Sequence, residues 1–381
     1  MPDSSSPMPR PARRRRRHDA GRVLFPAAAA YAAFAVPAGL AGMRHSAWRV
    51  PGLSTPAGHA HEMLFGFALA VVAGFLVRRT GPARVGALAG LWLLARITWL
   101  AIPGTLPAAC ANGAFAALVA VLAAPGLLRG AKKPRNRAFP LALIALCAAE
   151  GAFQYAAVIH DSLLQRRVAI ETVLLLAVMM AFMGGRIIAP AAAGHLQRRG
   201  RLLRARVQPR LEALLLLALA AALVTLPVPG LSPVAGSLLV LAGTVAAVRL
   251  ARWRPWLWAE RRDLLALATG YAWLAAGLAA TGLAVTLDAA GVELITLHLI
   301  TVGALGTITL SVMGRSRLQQ AKRSPPWTPA LSEAVLLLAL ATGARVAGGL
   351  RPGLPAHLVW TAALLWLAAF ALLGRELLRH P

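Results

Sequence analysis

Acidic residues are scarce. The 381-residue chain has 13 Asp and Glu against 40 Lys and Arg, and charged residues of both signs make up only 14% of it. Soluble domains average about 25%, so a solvated globular surface is excluded. Cysteine is nearly absent. Cys110 and Cys147 lie in different apolar runs without CxxC spacing, which excludes a disulfide framework and a thiolate zinc site. Both read as small buried apolar residues. What is abundant is hydrophobic: 58% of the chain, gathered in long blocks. That pattern defines an all-α polytopic membrane protein. The net charge of +27 would suggest nucleic acid in a soluble protein. Here the basic residues sit in the connections between apolar blocks, so the charge encodes topology and no nucleic-acid partner is expected.

Residues 1–22 are polar and basic, with Arg13 to Arg17 unbroken, and read as a disordered cytoplasmic tail. Residues 23–381 read as one transmembrane domain. A span needs about 20 mostly apolar residues. Twelve stretches qualify: 23–43, 60–77, 84–102, 106–128, 138–160, 168–190, 211–227, 232–250, 264–287, 292–313, 330–350 and 355–374. The first is long enough to span and is followed by others, so it is an uncleaved helix rather than a signal peptide. With both termini inside, 32 of the 40 Lys and Arg fall on the inner side, five on the outer side and three (Arg96, Arg186 and Arg345) within spans. A miscount of one helix would invert every later connection and destroy this asymmetry.

That orientation sorts the histidines. His18, His195 and His380 fall inside; His45, His59, His61, His160, His298 and His357 fall at or near the outer face, with Glu62, Asp161, Asp288 and Glu293. Imidazoles converging at one depth from several helices are what a metal or haem site between helices requires. The plainer alternative is that interfacial histidines gather on one side by chance, and it suits His45 and His357 best. His61 and His298, flanked by apolar residues inside spans, point to function. In one regular helix His59 and His61 would point about 160° apart and could not share an ion. If Gly58 holds His59 extended ahead of the helix, the pair points one way and can clamp a metal. The face of His59 would continue through Gly66, Ala70 and Ala73, and that of His61 through Phe65, Ala68 and Val72. His298 shares a face with Thr301, Leu305 and Thr309, flanked by Gly303 and Gly306, which helix packing explains equally well.

Other residues carry weaker signals. Arg96 can balance a haem propionate or neutralise a buried acid such as Glu150. Arg186 snorkels. Met179, Met180 and Met183 fill core space more readily than they ligate copper. The segment Arg252-Trp253-Arg254-Pro255-Trp256-Leu257-Trp258 reads as an interfacial anchor. Glu150 and Glu171, the acids deepest within spans, would be the starting point for a secondary transporter.

The chain resembles the NnrS family of bacterial inner-membrane haem- and copper-containing proteins of the nitric oxide response. The resemblance rests on His59-Ala60-His61-Glu62-Met63-Leu64-Phe65-Gly66-Phe67 running into Ala73-Gly74-Phe75-Leu76, on Gly90-Leu91-Trp92-Leu93-Leu94-Ala95-Arg96, and on Gly184-Gly185-Arg186-Ile187-Ile188. It rests also on His298 before Gly303-Ala304-Leu305-Gly306-Thr307, with Met313 and Arg315 beyond. The chain departs from the family pattern at Ala189-Pro190-Ala191 and at Ser316-Arg317-Leu318-Gln319-Gln320, where a histidine-containing segment is usual; both lie on the inner side. The resemblance implies haem b and copper, with His59, His61, His298 and Arg96 toward the cofactor and His59, His61, Glu62, His298 and His160 as metal ligands. It implies nitric oxide or a small redox ligand as partner, in a lipid setting. The rival expectations are a transporter built on Glu150, Glu171 and Arg96, and a haem or copper handling protein.

Overall fold

The computed structural model describes residues 18–289, 291–324, 326–350 and 356–380. Twelve long helices account for most of them: α1 (Gly21–Arg44), α2 (Pro56–Leu76), α3 (Pro82–Ala101), α4 (Leu106–Gly130), α5 (Ala138–Val158), α6 (Ser162–Gln197), α7 (Pro209–Thr225), α8 (Ser232–Arg252), α9 (Arg262–Thr286), α10 (Val292–Gln320), α11 (Pro329–Leu350) and α12 (Ala356–Arg379). Among the described residues there is no strand, only an isolated bridge between His18 and Thr80. Eleven of the helices are long and apolar enough to cross a membrane. The remaining one, α7, has 17 residues, at the short end of the spanning range of about 17–25. The protein is therefore a multi-pass helical membrane protein with the expected helix count.

Helix α6 is much longer than its expected 168–190. Its 36 residues reach about 54 Å at 1.5 Å per residue, well beyond the hydrocarbon core. Of the expected tail, residues 1–17 lie outside the described residues. His18 and Asp19, by contrast, are tied down. His18 exchanges backbone hydrogen bonds with Thr80, and the Asp19 carboxylate accepts from the Arg79 amide (2.7 Å) and Gln320 Nε2 (3.1 Å). The segment 18–22 thus belongs to the bundle, and α1 begins two residues earlier than the apolar run suggests.

Neighbouring helices in sequence pack against each other, and α12 returns to α1, closing the bundle. Trp366 on α12 donates its indole N–H to the Ala32 carbonyl of α1 at 2.9 Å. Four helices lie inside. In α2 and α6, 67% of the most apolar stretch is buried, and in α9 and α10, 61%, against 28% for α11. Small residues set the closest approach: a Cβ at Gly243 on α8 would lie 2.6 Å from the Ala279 amide and 2.7 Å from the Ala275 carbonyl of α9. Without a hydrophobic drive between helices in lipid, such backbone proximity supplies the packing energy.

Two expectations change. Trp253 and Trp258 are buried, and Trp258 donates to the Trp253 carbonyl at 2.9 Å; only Trp256 faces outward. The basic aromatic segment is thus mostly a core plug, not an anchor. Cys147 is buried as expected, but Cys110 is exposed on the bundle surface. Met179 and Met180 pack in the core.

Candidate functional site

The first turn of α2 decides how its histidines point. Pro56 occupies the first helical position, where its missing N–H costs nothing, and the Thr55 hydroxyl caps the helix by accepting from the Gly58 amide at 3.0 Å. His59 is therefore helical, not extended, and the shared-ion arrangement of His59 and His61 is ruled out. The two rings serve different places.

His59 faces a cavity of about 840 Å³ enclosed by α1, α2, α6, α10, α11 and α12. Its walls are apolar, with Val36, Leu64, Phe67, Val173, Leu305 and Trp366 prominent. His298 reaches the same cavity from α10. Among the described residues the buried His59 Nδ1 has no hydrogen-bond partner. His298 Nδ1 lies 2.8 Å from the Leu294 carbonyl. A carbonyl only accepts, so Nδ1 carries the proton and Nε2 keeps its lone pair. A backbone carbonyl fixing the far nitrogen is the usual way a ligating imidazole is oriented. Two cations also border the cavity. Arg166 is 52% exposed and pairs with Glu293 at 2.9 Å; Arg345 pairs with no described residue.

Both histidines are followed by π-helical turns, Glu62–Ala68 in α2 and Leu299–Gly306 in α10. Single π insertions recur at functional sites because they rotate one side-chain face relative to the next. In α2 the wider turn makes His59, Met63 and Phe67 one cavity face. The straight-helix expectation, His59 with Gly66, Ala70 and Ala73, fails for this reason. Gly66 instead turns toward Arg96, Glu62 and Tyr31. In α10 the expected neighbours Thr301 and Leu305 do line the cavity, whereas the Thr309 hydroxyl bonds back to the Leu305 carbonyl. Gly303 and Gly306 receive the Trp273 and Trp366 rings, so helix packing explains them.

His61 lies on the other side of α2, fully buried, with both ring nitrogens taken. Nδ1 is 2.8 Å from Glu62 Oε1; Nε2 is 2.9 Å from Glu150 Oε1 and 2.8 Å from Gln154 Nε2. Trp99 stacks on the ring at 3.9 Å and Phe153 lies at 5.0 Å. Phe65, expected on the same face as His61, packs on His61 and Phe153. Glu62 also accepts from the Tyr31 hydroxyl and from Arg96, which in turn bonds Asn112. Arg96 therefore neutralises a buried acid, though Glu62 rather than Glu150. The network joins α1 to α5 and satisfies charges that would be very costly alone. It unites His61, Glu62 and Arg96, expected at a cofactor, with Glu150, expected of a transporter.

The remaining candidates stand apart. His160 is exposed in a left-handed turn (φ 57°) between α5 and α6 and does not line the cavity. His45 and His357 are exposed, and Glu171 is half-buried outside both places. A second buried cluster, near the other ends of the helices, escaped sequence reasoning. Arg249 pairs with Glu212 at 2.8 Å and donates to the Ala181 carbonyl at 2.9 Å, and Arg186 reaches Glu212 at 3.1 Å and Asn136 at 2.6 Å. Its sequence signal was Gly184-Gly185. A Cβ at Gly184 would strike the Tyr271 ring, and one at Gly185 the Arg249 guanidinium.

The cavity suits a flat macrocycle. Its volume falls in the range of about 300–1,000 Å³ typical of ligand pockets, its walls are apolar, and two imidazoles enter it with nitrogens uncommitted. Copper is different. Among the described residues no group of three or more His, Cys, Asp or Glu side chains is placed to hold a metal ion.

Twelve helices, six of them lining a histidine-bearing apolar cavity, define the class: a polytopic membrane protein with an internal cavity. The family model described as NnrS protein matches residues 19–379, nearly the whole chain, and the chain belongs to the NnrS family. That membership supports a membrane protein of the nitric oxide response. No curated protein matches the chain.

Proposed function

We propose that the cavity holds haem b, which His59 and His298 would hold, in a bacterial inner-membrane protein whose termini are cytoplasmic and whose role is response to, or protection against, nitric oxide. The observation that supports this most directly is the difference in nitrogen availability. His59 and His298 face one apolar cavity without side-chain partners, while both nitrogens of His61 are engaged. Bound haem would supply an iron able to take a small diatomic ligand. The chain's own part is orientation and exclusion. The Leu294 carbonyl holds the His298 ring. Leu64, Phe67, Val302 and Trp366 give the cavity apolar walls. The basic connections set the orientation in the bilayer, which puts the cavity's end of the bundle toward the periplasm.

The test is an absorption spectrum of the purified protein, oxidised and dithionite-reduced, with iron and copper analysis of the same sample. Wild type should show a Soret band that shifts on reduction and again on adding nitric oxide. His59→Ala and His298→Ala should lose or alter it, while His61→Ala keeps it. A folded, colourless, iron-free protein after haem-supplemented expression would overturn the proposal.

One observation favours transport as a second reading: Glu150 sits deep in the bundle with Oε2 unpartnered, beside a histidine and a paired arginine. Transport predicts that Glu150→Gln abolishes substrate flux in vesicles while His59→Ala and His298→Ala leave it intact.

A further inference from the structure

Arg249 on α8, paired with Glu212, and Arg317 at the far end of α10 are buried in helices as well; the sequence itself places three basic residues within spans: Arg96, Arg186 and Arg345. Two have protein partners. Arg96 is held by Glu62 and Asn112, and Arg186 by Glu212 and Asn136. Arg345 makes no ion pair or hydrogen bond with any described residue, yet it is the one residue of α11 that borders the cavity. Gly349, one turn on, leaves it room: a Cβ there would lie 3.3 Å from Arg345 Nη1 and 2.8 Å from Ile295. The cavity's other cation, Arg166, is already neutralised by Glu293 at the mouth. An unpaired guanidinium against apolar walls is costly unless something supplies the counter-charge. A planar guanidinium meets a carboxylate through two parallel hydrogen bonds, the strongest neutralisation available to it.

We infer that Arg345 selects the cavity's occupant by a carboxylate: the ligand is a largely apolar molecule with at least one carboxylate that Arg345 clamps while His59 and His298 address its centre. This rests on the haem reading and assigns to Arg345 the anion-pairing role that the sequence offered to Arg96. It makes Arg345 a specificity determinant, separate from the metal-ligating histidines.

The test uses the full chain, prepared without haem and reconstituted in nanodiscs, and two metal-free probes: protoporphyrin IX, with two carboxylates, and its dimethyl ester, with none. Binding is followed by porphyrin fluorescence. Wild type should bind the free acid at least about tenfold more tightly than the ester, the scale of one charge-assisted hydrogen bond. Arg345→Gln should erase the preference, and Arg345→Lys should restore part of it. Gly90→Ala, at an exposed position of α3 outside the cavity, should leave it unchanged. Equal binding of both probes by wild type would overturn the inference without any variant, as would an Arg345→Gln protein that keeps the preference; the haem reading would survive both results. Failure of the free acid to bind wild type would overturn the inference, and failure of both probes together with a colourless, iron-free wild type would remove the haem reading as well.

Discussion

The two faces of α2 carry the same residue type two positions apart and use it in opposite ways. His59 lines an open apolar cavity, and its buried Nδ1 has no partner among the described residues. His61 is locked between two carboxylates, an amide and a stacked indole. One imidazole is available to a ligand because the protein leaves it alone; the other holds α2 to α3 and α5 because the protein surrounds it. A histidine inside a membrane span is therefore not by itself a ligand. What distinguishes the two is whether the second coordination partner of each nitrogen is already present.

The strongest way to break this comparison is to strip the counter-charge from the locked face. Arg96→Leu leaves Glu62 buried beside Glu150 with no cation, and should destabilise the fold on the order of 3–5 kcal/mol. A large drop in the thermal unfolding midpoint in detergent would be the readout. A midpoint like wild type would show that the network is not what joins α2 to α3.

The next effect separates the two histidines directly. His61→Ala removes a buried ring and its hydrogen bonds and should cost about 2–3 kcal/mol, with the cavity's spectrum retained in the folded fraction. His59→Ala should change stability by no more than about 0.5 kcal/mol and change the spectrum instead. If the two variants behave alike, the two faces are not functionally distinct.

Smaller still is the test of the π-helical turn. Gly66→Ala would place a methyl 3.0 Å from Glu62 Oε2 and 3.1 Å from the Tyr31 ring, an overpacking of about 1–3 kcal/mol. In a straight helix Gly66 would face the cavity and tolerate the methyl. Gly90→Ala, whose Cβ meets nothing within 4 Å, is the matched control and should be neutral or slightly stabilising.

The smallest effect lies at the basic end, far from both faces. The exposed Glu260 carboxyl is held below its ordinary value, first by its hydrogen bond to His195 at 2.7 Å and also by Arg199 at 2.6 Å. A depressed carboxylate contributes stability above its unfolded pKa, about 4.3, and loses it as pH falls through the lower folded value. Glu260→Gln should slightly flatten the fall in thermal midpoint below about pH 4.3 and leave the cavity spectrum untouched. A steep change near neutral pH would contradict the assignment.

Much of the fold was legible because bilayer thickness imposes a length on every apolar block, and the basic connections tested the count. The cavity histidines His59 and His298 were legible as residue types at one depth. The π-helical turns were not. No local signal marks the inserted residue, and its effect is to rotate every later side chain, which is why Gly66 was assigned to the wrong face. The role of Arg96 was half legible: a buried acid was expected as its partner, but Glu62, four residues before Gly66, becomes that partner only once α2 and α3 pack. His160 looked equivalent to the other outer-side histidines until its turn placed it in solvent.

By itself, then, the sequence determined the class, the twelve helices, the family and the end of the bundle where the histidines gather. These follow from hydropathy, charge and motif, which are properties of short stretches of chain. Only the tertiary structure decided which nitrogens are free. Whether an imidazole or a guanidinium has a partner depends on residues far apart in the chain, as with His61 and Glu150, brought together by helix packing and by the π-helical turn that sets which face each residue shows.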